Sequence, residues 1–110
     1  MKIRELIEAL KLDIITSGEN LDSEISGCYI GDLLSWVMGR AEADNVWITI
    51  MSNINIVAVA SLTGASCILL CEGVTPEEDV INKANEQDVV ILRSDKTAYE
   101  IAVMIDGALK

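Results

Sequence analysis

The sequence of 110 residues has no histidine, one proline, and eight basic residues against eighteen acidic ones. Without histidine, the chain lacks the usual general base of enzymes and the commonest metal ligand. The net charge of −10 argues against nucleic acid or an anionic membrane surface as a partner, because both would repel it. The longest apolar runs, such as residues 67–71, have five residues, whereas a helix needs about 20 to span a bilayer. We therefore expect no nucleic-acid partner and no membrane segment.

The cysteines and the N-terminal residues indicate the compartment. Three cysteines, Cys28, Cys67 and Cys71, are an odd number, which suits a reducing environment better than a disulfide scaffold. Residues 1–7 are charged and amphipathic and lack the apolar core of a signal peptide. We expect a cytoplasmic protein with one domain over residues 1–110.

Helices and strands are predicted to alternate along most of the chain. Apolar spacing favours strands at 12–16, 25–30, 46–50, 67–71 and 89–92, and helices at 2–10, from 33, at 54–62, from 75 to about 87 and from 97. Connections of a few residues between unalternating apolar strands are typical of a parallel sheet covered on both faces. The predicted fold is an α/β domain in three layers, with an open, mostly parallel sheet of about five strands and helices on both faces.

Local signals predict how these helices begin and end. Asp32 is expected to cap a helix that buries Leu33, Leu34, Val37 and Met38. Gly64 is a candidate C-cap for the helix at 54–62. Thr75, with Glu78 three residues later, has the pattern of a capping box.

The last helix is expected to begin behind the polar turn Ser94–Thr97. Its inward positions are predicted to be Ala98, Ile101, Ala102 and Ile105.

The segment 45–71 contains 27 consecutive residues without a charged side chain. Its helix is apolar on nearly every side, whereas a surface helix of a monomer normally has a polar face. Either it lies beneath neighbouring helices of the same chain, or its outer side meets the same helix of a second subunit. Small domains have few elements with which to cover a helix, so the segment predicts a homodimer. The residues expected at its interface are Trp47, Ile54, Val57, Ala58 and Ser61.

Cys67 and Cys71 lie four residues apart on a predicted strand and therefore point to the same face. Two-cysteine metal sites usually bring their thiols together through a turn. We interpret this pair as small buried hydrophobic side chains and predict no metal and no cofactor.

The turns that follow the strands are the places where a small ligand would bind. In an open α/β sheet these turns gather at the carboxyl ends of the strands, and helix N-termini there offer free N–H groups to an anion. The same polar residues can equally be helix caps. No nucleophile–base pair can be drawn from them, so catalysis is not expected. The candidate ligand-binding residues are Asp32, Thr49, Ser52, Asn53, Asn55, Gly73, Ser94 and Thr97.

Two phrases of the sequence carry a family resemblance. The first is Gly-Cys-Tyr-Ile-Gly-Asp-Leu-Leu-Ser at 27–35, and the second is Val-Trp-Ile-Thr-Ile at 46–50 followed by Asn-Ile-Asn-Ile-Val-Ala-Val-Ala at 53–60. With residues 68–73 they resemble the DRTGG domain family, over about residues 1–108. Members resemble the N-terminal domain of HPr kinase/phosphorylase. They accompany phosphotransacetylase and CBS domains, and they also stand alone in anaerobic bacteria.

The resemblance implies an α/β fold and a regulatory or assembly role without known catalysis. The residues that name the family are mostly replaced, since Ser52-Asn53 stands at the Asp-Arg pair and Cys71-Glu72-Gly73 at the Thr-Gly-Gly triplet. The missing arginine removes a phosphate-binding group, and Glu72 would repel an anion.

From these features we expect a non-catalytic regulatory or interaction module that forms a homodimer through residues 45–71. A further protein partner is compatible with this role. The alternative is a sensor domain that binds a nucleotide or phosphometabolite at the strand-to-helix turns.

Overall fold

A computed structural model describes all 110 residues and contains five helices and one five-stranded sheet. In chain order the elements are α1 (Ile3–Leu10), β1 (Asp13–Ile14), β2 (Gly27–Ile30), α2 (Leu34–Arg40), β3 (Asn45–Thr49), α3 (Asn55–Thr63), β4 (Cys67–Leu70), α4 (Glu78–Glu86), β5 (Ile91–Arg93) and α5 (Ala98–Leu109). None of the helices is long and apolar enough to cross a membrane.

The strands lie in the order β1-β5-β4-β3-β2, with β2 to β5 parallel and β1 antiparallel to β5. Each of the central strands β3 and β4 is buried along its whole length, because both of their faces are covered. This explains why their sequences lack the alternation of a half-exposed strand.

Two hydrophobic cores lie on opposite faces of the sheet. On one face, α1 and α5 pack on residues that include Val46, Ile48 and Leu69. On the other face, α2, α3 and α4 pack on residues that include Trp47 and Ile68. The predicted three-layer α/β fold with a mostly parallel sheet is confirmed.

Helix α2 differs from its prediction in both its cap and its buried side. Only Val37 is buried, while Leu33 is 60% and Met38 43% exposed. Helix α2 packs beside one helix, α3, whereas α3 has α2 on one side and α4 on the other. Asp32 does not cap it; its carboxylate accepts bonds from β3 instead.

Helix α4 begins at Glu78 and not at Thr75, so the predicted capping box is wrong. The Thr75 hydroxyl accepts a hydrogen bond of 2.6 Å from Arg93 Nη1, at the end of β5. The Thr75 hydroxyl, which the local sequence assigns to a helix cap, therefore binds a strand that lies far along the chain.

Helices α3 and α5 end or begin as predicted. Gly64 adopts the left-handed conformation (φ 73°), and its N–H donates to the carbonyl of Ala60, as expected for a glycine C-cap. Thr97 and Glu100 form a capping box at the start of α5, which buries Ile101 and Ile105 and leaves Ala98 and Ala102 half-buried. Hydrogen bonds from the Thr97 backbone and hydroxyl lower the pKa of Glu100 below its usual value. This contribution to stability is present at neutral pH and is lost as the pH falls through the lowered pKa.

Replacing Thr97 with Ala is expected to lower the free energy of unfolding by about 1 kcal/mol, because the first turn of α5 loses its side-chain cap. Urea unfolding followed by circular dichroism measures the loss. Thr75→Ala is the matched control, since Thr75 caps no helix and its exposed contact with Arg93 contributes less. An unchanged midpoint for Thr97→Ala would contradict the capping role.

Candidate functional site

The candidate ligand-binding residues follow the carboxyl ends of β2 to β5, and most of them bond to one another. Asp32, after β2, accepts hydrogen bonds from Thr49 Oγ1 (2.8 Å) and from the Ile50 N–H (3.0 Å). Thr49 Oγ1 accepts a further bond of 3.0 Å from the Met51 N–H. These hydrogen bonds join the carboxyl ends of β2 and β3. They also occupy the polar groups to which a ligand would otherwise bind.

After β4 the chain continues into a helix on one face of the sheet, and after β5 it continues into a helix on the other face. The topological switch point of the sheet therefore lies between β4 and β5. Ligands of open α/β sheets commonly bind in the crevice at such a point. Here the Glu72 N–H donates to the Lys96 carbonyl (2.8 Å), and the Gly73 N–H donates to the Ser94 carbonyl (2.9 Å). These two turn amides are therefore occupied and do not face an anion.

Gly73 is required by its surroundings at this crevice. Its φ is 72°, a left-handed conformation, and a Cβ there would lie 3.0 Å from Asp95 Oδ1. Packing and backbone geometry therefore explain why a glycine stands at this position of the turn. Thr97, the last candidate on this side, is engaged in the capping box of α5.

Ser52 and Asn53 line a separate cavity of about 330 Å³, beside Glu77 and Asp79. The Asn53 Oδ1 accepts a hydrogen bond of 2.9 Å from the N–H of Asn55, the first residue of α3. The two carboxylates would repel a phosphate group. Asn55 itself lies in a different groove, so the structure does not bring the eight predicted ligand residues into one pocket.

One cluster of basic residues was not predicted from the sequence. Lys11, Arg93 and Lys96 line a cavity of about 380 Å³ that also contains Asp13, Ser94 and Asp95. Arg93 forms an ion pair of 3.0 Å with Asp13, its cross-strand neighbour on β1. The cluster depends on β1 lying next to β5, and nothing in the local sequence signals that pairing.

Four of the five predicted interface residues do lie together. The groove between α3 and α4, with a volume of about 520 Å³, is lined by Ile54, Asn55, Val57, Ala58, Ser61, Leu62, Lys83 and Gln87. Small side chains form its middle, and Ile54 and Leu62 stand at its two ends. We call this surface the α3 groove.

Trp47 does not belong to this surface, and its assignment to an interface is wrong. It is fully buried on β3, beneath α3, and its Nε1 donates a hydrogen bond of 2.9 Å to the Gly31 carbonyl. Val57 is also almost completely buried and contributes only to the floor of the α3 groove.

The outer side of α3 is open in the protomer. Its inner residues, such as Ile56 and Ala60, are buried, whereas Ile54 is 44% and Leu62 73% exposed. Helices α2 and α4 lie beside α3 and leave its outer side, with Ala58 and Ser61, uncovered. The other elements of residues 1–110 therefore do not bury the whole helix, which was the first of the two alternatives.

The cysteines lie away from this surface. Cys67 and Cys71 both lie in the core on the face of the sheet that α1 and α5 cover. Burial raises the pKa of the Cys67 thiol to about 12, so it stays neutral and unreactive near pH 7. Burial also raises the pKa values of Cys71 and Cys28. The pair at 67 and 71 packs as hydrophobic side chains.

The chain matches the model of a known protein family and resembles a solved structure. The family model described as "DRTGG domain" matches residues 5–108. The fold is similar to that of the CBS and DRTGG domains of the regulatory region of Clostridium perfringens pyrophosphatase, solved with its activator diadenosine tetraphosphate. The TM-score is 0.76 at 12% identity, over 94% of this chain and 45% of that chain. This chain thus spans less than half the length of that structure.

No curated protein shows a significant sequence match. The matched region runs from α1 to α5 and includes the α3 groove and all the strand-to-helix turns. This chain belongs to the DRTGG domain family.

Proposed function

We propose that the protein is a non-catalytic regulatory module of the cytoplasm that forms a homodimer through the α3 groove. The observation that carries this proposal is the groove itself, where exposed apolar side chains lie within the one long uncharged segment of a chain of net charge −10. Because residues 45–71 contribute no charged side chain to this surface, two copies can meet through it with little repulsion despite their net charge.

Burial of the groove supplies a driving force for association. Apolar surface that leaves water contributes about 25 cal/mol per Å². Ile54 and Leu62 are large side chains that a monomer leaves in contact with water. Ala58 and Ser61 between them are small, so a second helix backbone can approach closely.

The polar residues at the carboxyl ends of the strands support a role without catalysis. Asp32 and Thr49 bond to each other, and the turn amides at 72 and 73 bond to carbonyl groups. Histidine is absent, and burial keeps the Cys67 thiol neutral. A regulatory domain needs none of these groups to be free for proton transfer.

The proposed dimer is tested by the dependence of thermal stability on protein concentration. Because association stabilises the folded state by mass action, the Tm should rise as the concentration increases from 1 to about 100 times the dissociation constant. A Tm that stays the same across such a series would contradict the dimer.

The alternative function is a sensor of a phosphate-bearing small molecule. The cavity with Lys11, Arg93 and Lys96 favours it, because three of the chain's eight basic residues meet there. The similar pyrophosphatase regulatory region was solved with a nucleotide activator, which is consistent with such a role. Asp13 opposes it, because an anion must displace this carboxylate from Arg93, and the carboxylate of Asp95 lines the same cavity.

A thermal-shift screen with nucleotides and acyl phosphates tests the sensor function. A ligand at 100 times its dissociation constant stabilises the fold by about 2.7 kcal/mol, and Lys96→Ala should reduce that shift. Lys83→Ala, which removes a lysine from the α3 groove, is the matched control. If no compound raises the Tm, the sensor function fails and the interaction module remains.

A further inference from the structure

We propose that two copies pack their α3 helices antiparallel, around a twofold axis that passes beside Ala58, so that Ile54 of one copy meets Leu62 of the other. This inference rests on the proposed homodimer and specifies its geometry. It follows from the order of the exposed residues on α3, from the helix dipoles and from the charges that border the groove.

The exposed residues of α3 are arranged symmetrically about Ala58. Ile54 and Leu62 lie four residues before and after it, and Asn55 and Ser61 lie three residues before and after it. In an antiparallel pair related by a twofold axis at Ala58, residues equally far from the axis face each other. The face is therefore complementary to itself.

Each of the resulting pairs is chemically matched. Ile54 and Leu62, both large and apolar, cover each other. The Asn55 amide can donate a hydrogen bond to the Ser61 hydroxyl of the second copy. The two Ala58 methyl groups meet at the axis, where small side chains allow the helices to approach to about 8 Å.

A parallel pair would be electrostatically worse. Glu77 and Asp79 adjoin Ile54 at one end of the groove, whereas Lys83 and Gln87 line the groove itself. Parallel packing would set the acidic ends of the two copies against each other. Antiparallel packing instead separates the Glu77 and Asp79 pair of one copy from that of the other. It also sets the N-terminus of each α3 beside the C-terminus of the other, as the helix dipoles favour.

The geometry predicts which cysteine substitutions form disulfides between chains. Cα atoms must come within about 7 Å to be bridged, and two copies of residue 54 lie about 12 Å apart along the axis in the antiparallel pair. In a Cys28→Ala background, which removes the most accessible native thiol, Ala58→Cys should cross-link with itself. Ile54→Cys and Leu62→Cys should not do so alone but should cross-link when mixed.

Val103→Cys, at an exposed position of α5 on the opposite side of the sheet, is the control for random collision. Mild oxidation followed by non-reducing electrophoresis should convert most of the Ala58→Cys chains to dimer and few of the Val103→Cys chains. Self-cross-linking of Ile54→Cys would overturn the antiparallel geometry in favour of a parallel pair.

Light scattering of the unoxidised variants tests the homodimer separately from its antiparallel geometry. A dimeric mass without cross-links at 54, 58 or 62 would overturn the geometry and leave the homodimer standing. A monomeric mass for the wild-type chain would overturn both.

Discussion

Ala58→Glu is expected to convert the dimer into a folded monomer. Ala58 is exposed in the protomer and lies at the middle of the α3 groove. Across the proposed axis, two glutamates would face each other in a contact that excludes water, and Lys83, the lysine of the groove, already pairs with Glu86 at 3.9 Å. An unpaired buried charge costs about 3–5 kcal/mol, which weakens the dimer by at least about 100-fold.

The protomer itself should tolerate this change. Alanine and glutamate differ by less than about 0.5 kcal/mol in helix propensity, and the side chain points away from the core. Far-ultraviolet circular dichroism of the variant should match that of the wild-type chain, while sedimentation should show a smaller species. Val103→Glu places the same charge at an exposed apolar position on α5 and should leave the mass unchanged. If Ala58→Glu remains dimeric, the placement of the interface is wrong.

Trp47→Ala is expected to lower the free energy of unfolding by about 3–5 kcal/mol. Trp47 is the largest fully buried side chain, and it fills the space between β3 and the α2–α4 layer. Its removal leaves a cavity and also deprives the Gly31 carbonyl of its indole donor. Since small domains are stable by only about 5–15 kcal/mol, the loss is a large part of the total.

The second tryptophan of the chain is the matched control. Trp36 is 54% exposed and stacks on Arg40, whose guanidinium carbon lies 3.9 Å from the ring centroid. Trp36→Ala should cost less than about 1 kcal/mol. Chemical denaturation of the two variants measures both losses. Equal losses, or a loss for Trp47→Ala that appears only as weaker association, would contradict the assignment of Trp47 to the core.

The sequence predicted those features whose physics is local. The glycine C-cap at Gly64 and the start of α5 behind the turn Ser94–Thr97 involve groups within a few residues, so their pattern can be read from the chain. The layered fold was predictable because the apolar strands and short connections leave few topologies open.

The incorrect predictions have a common cause, because the residues concerned bind partners that lie far along the chain. Asp32 and Thr75 look like caps, yet one is bound to Thr49 and the other to Arg93. An uncharged stretch does not distinguish a strand inside the sheet from a surface for a partner, and Trp47 was misassigned for that reason. The basic cavity needs β1 beside β5, a pairing that joins residues 80 positions apart.

The mass of the wild-type chain in solution, measured by light scattering at micromolar concentrations, tests the central claim most directly. The claim predicts twice the protomer mass of 11.9 kDa, falling toward one protomer in the Ala58→Glu variant. A wild-type mass of a single protomer throughout the micromolar range would contradict it.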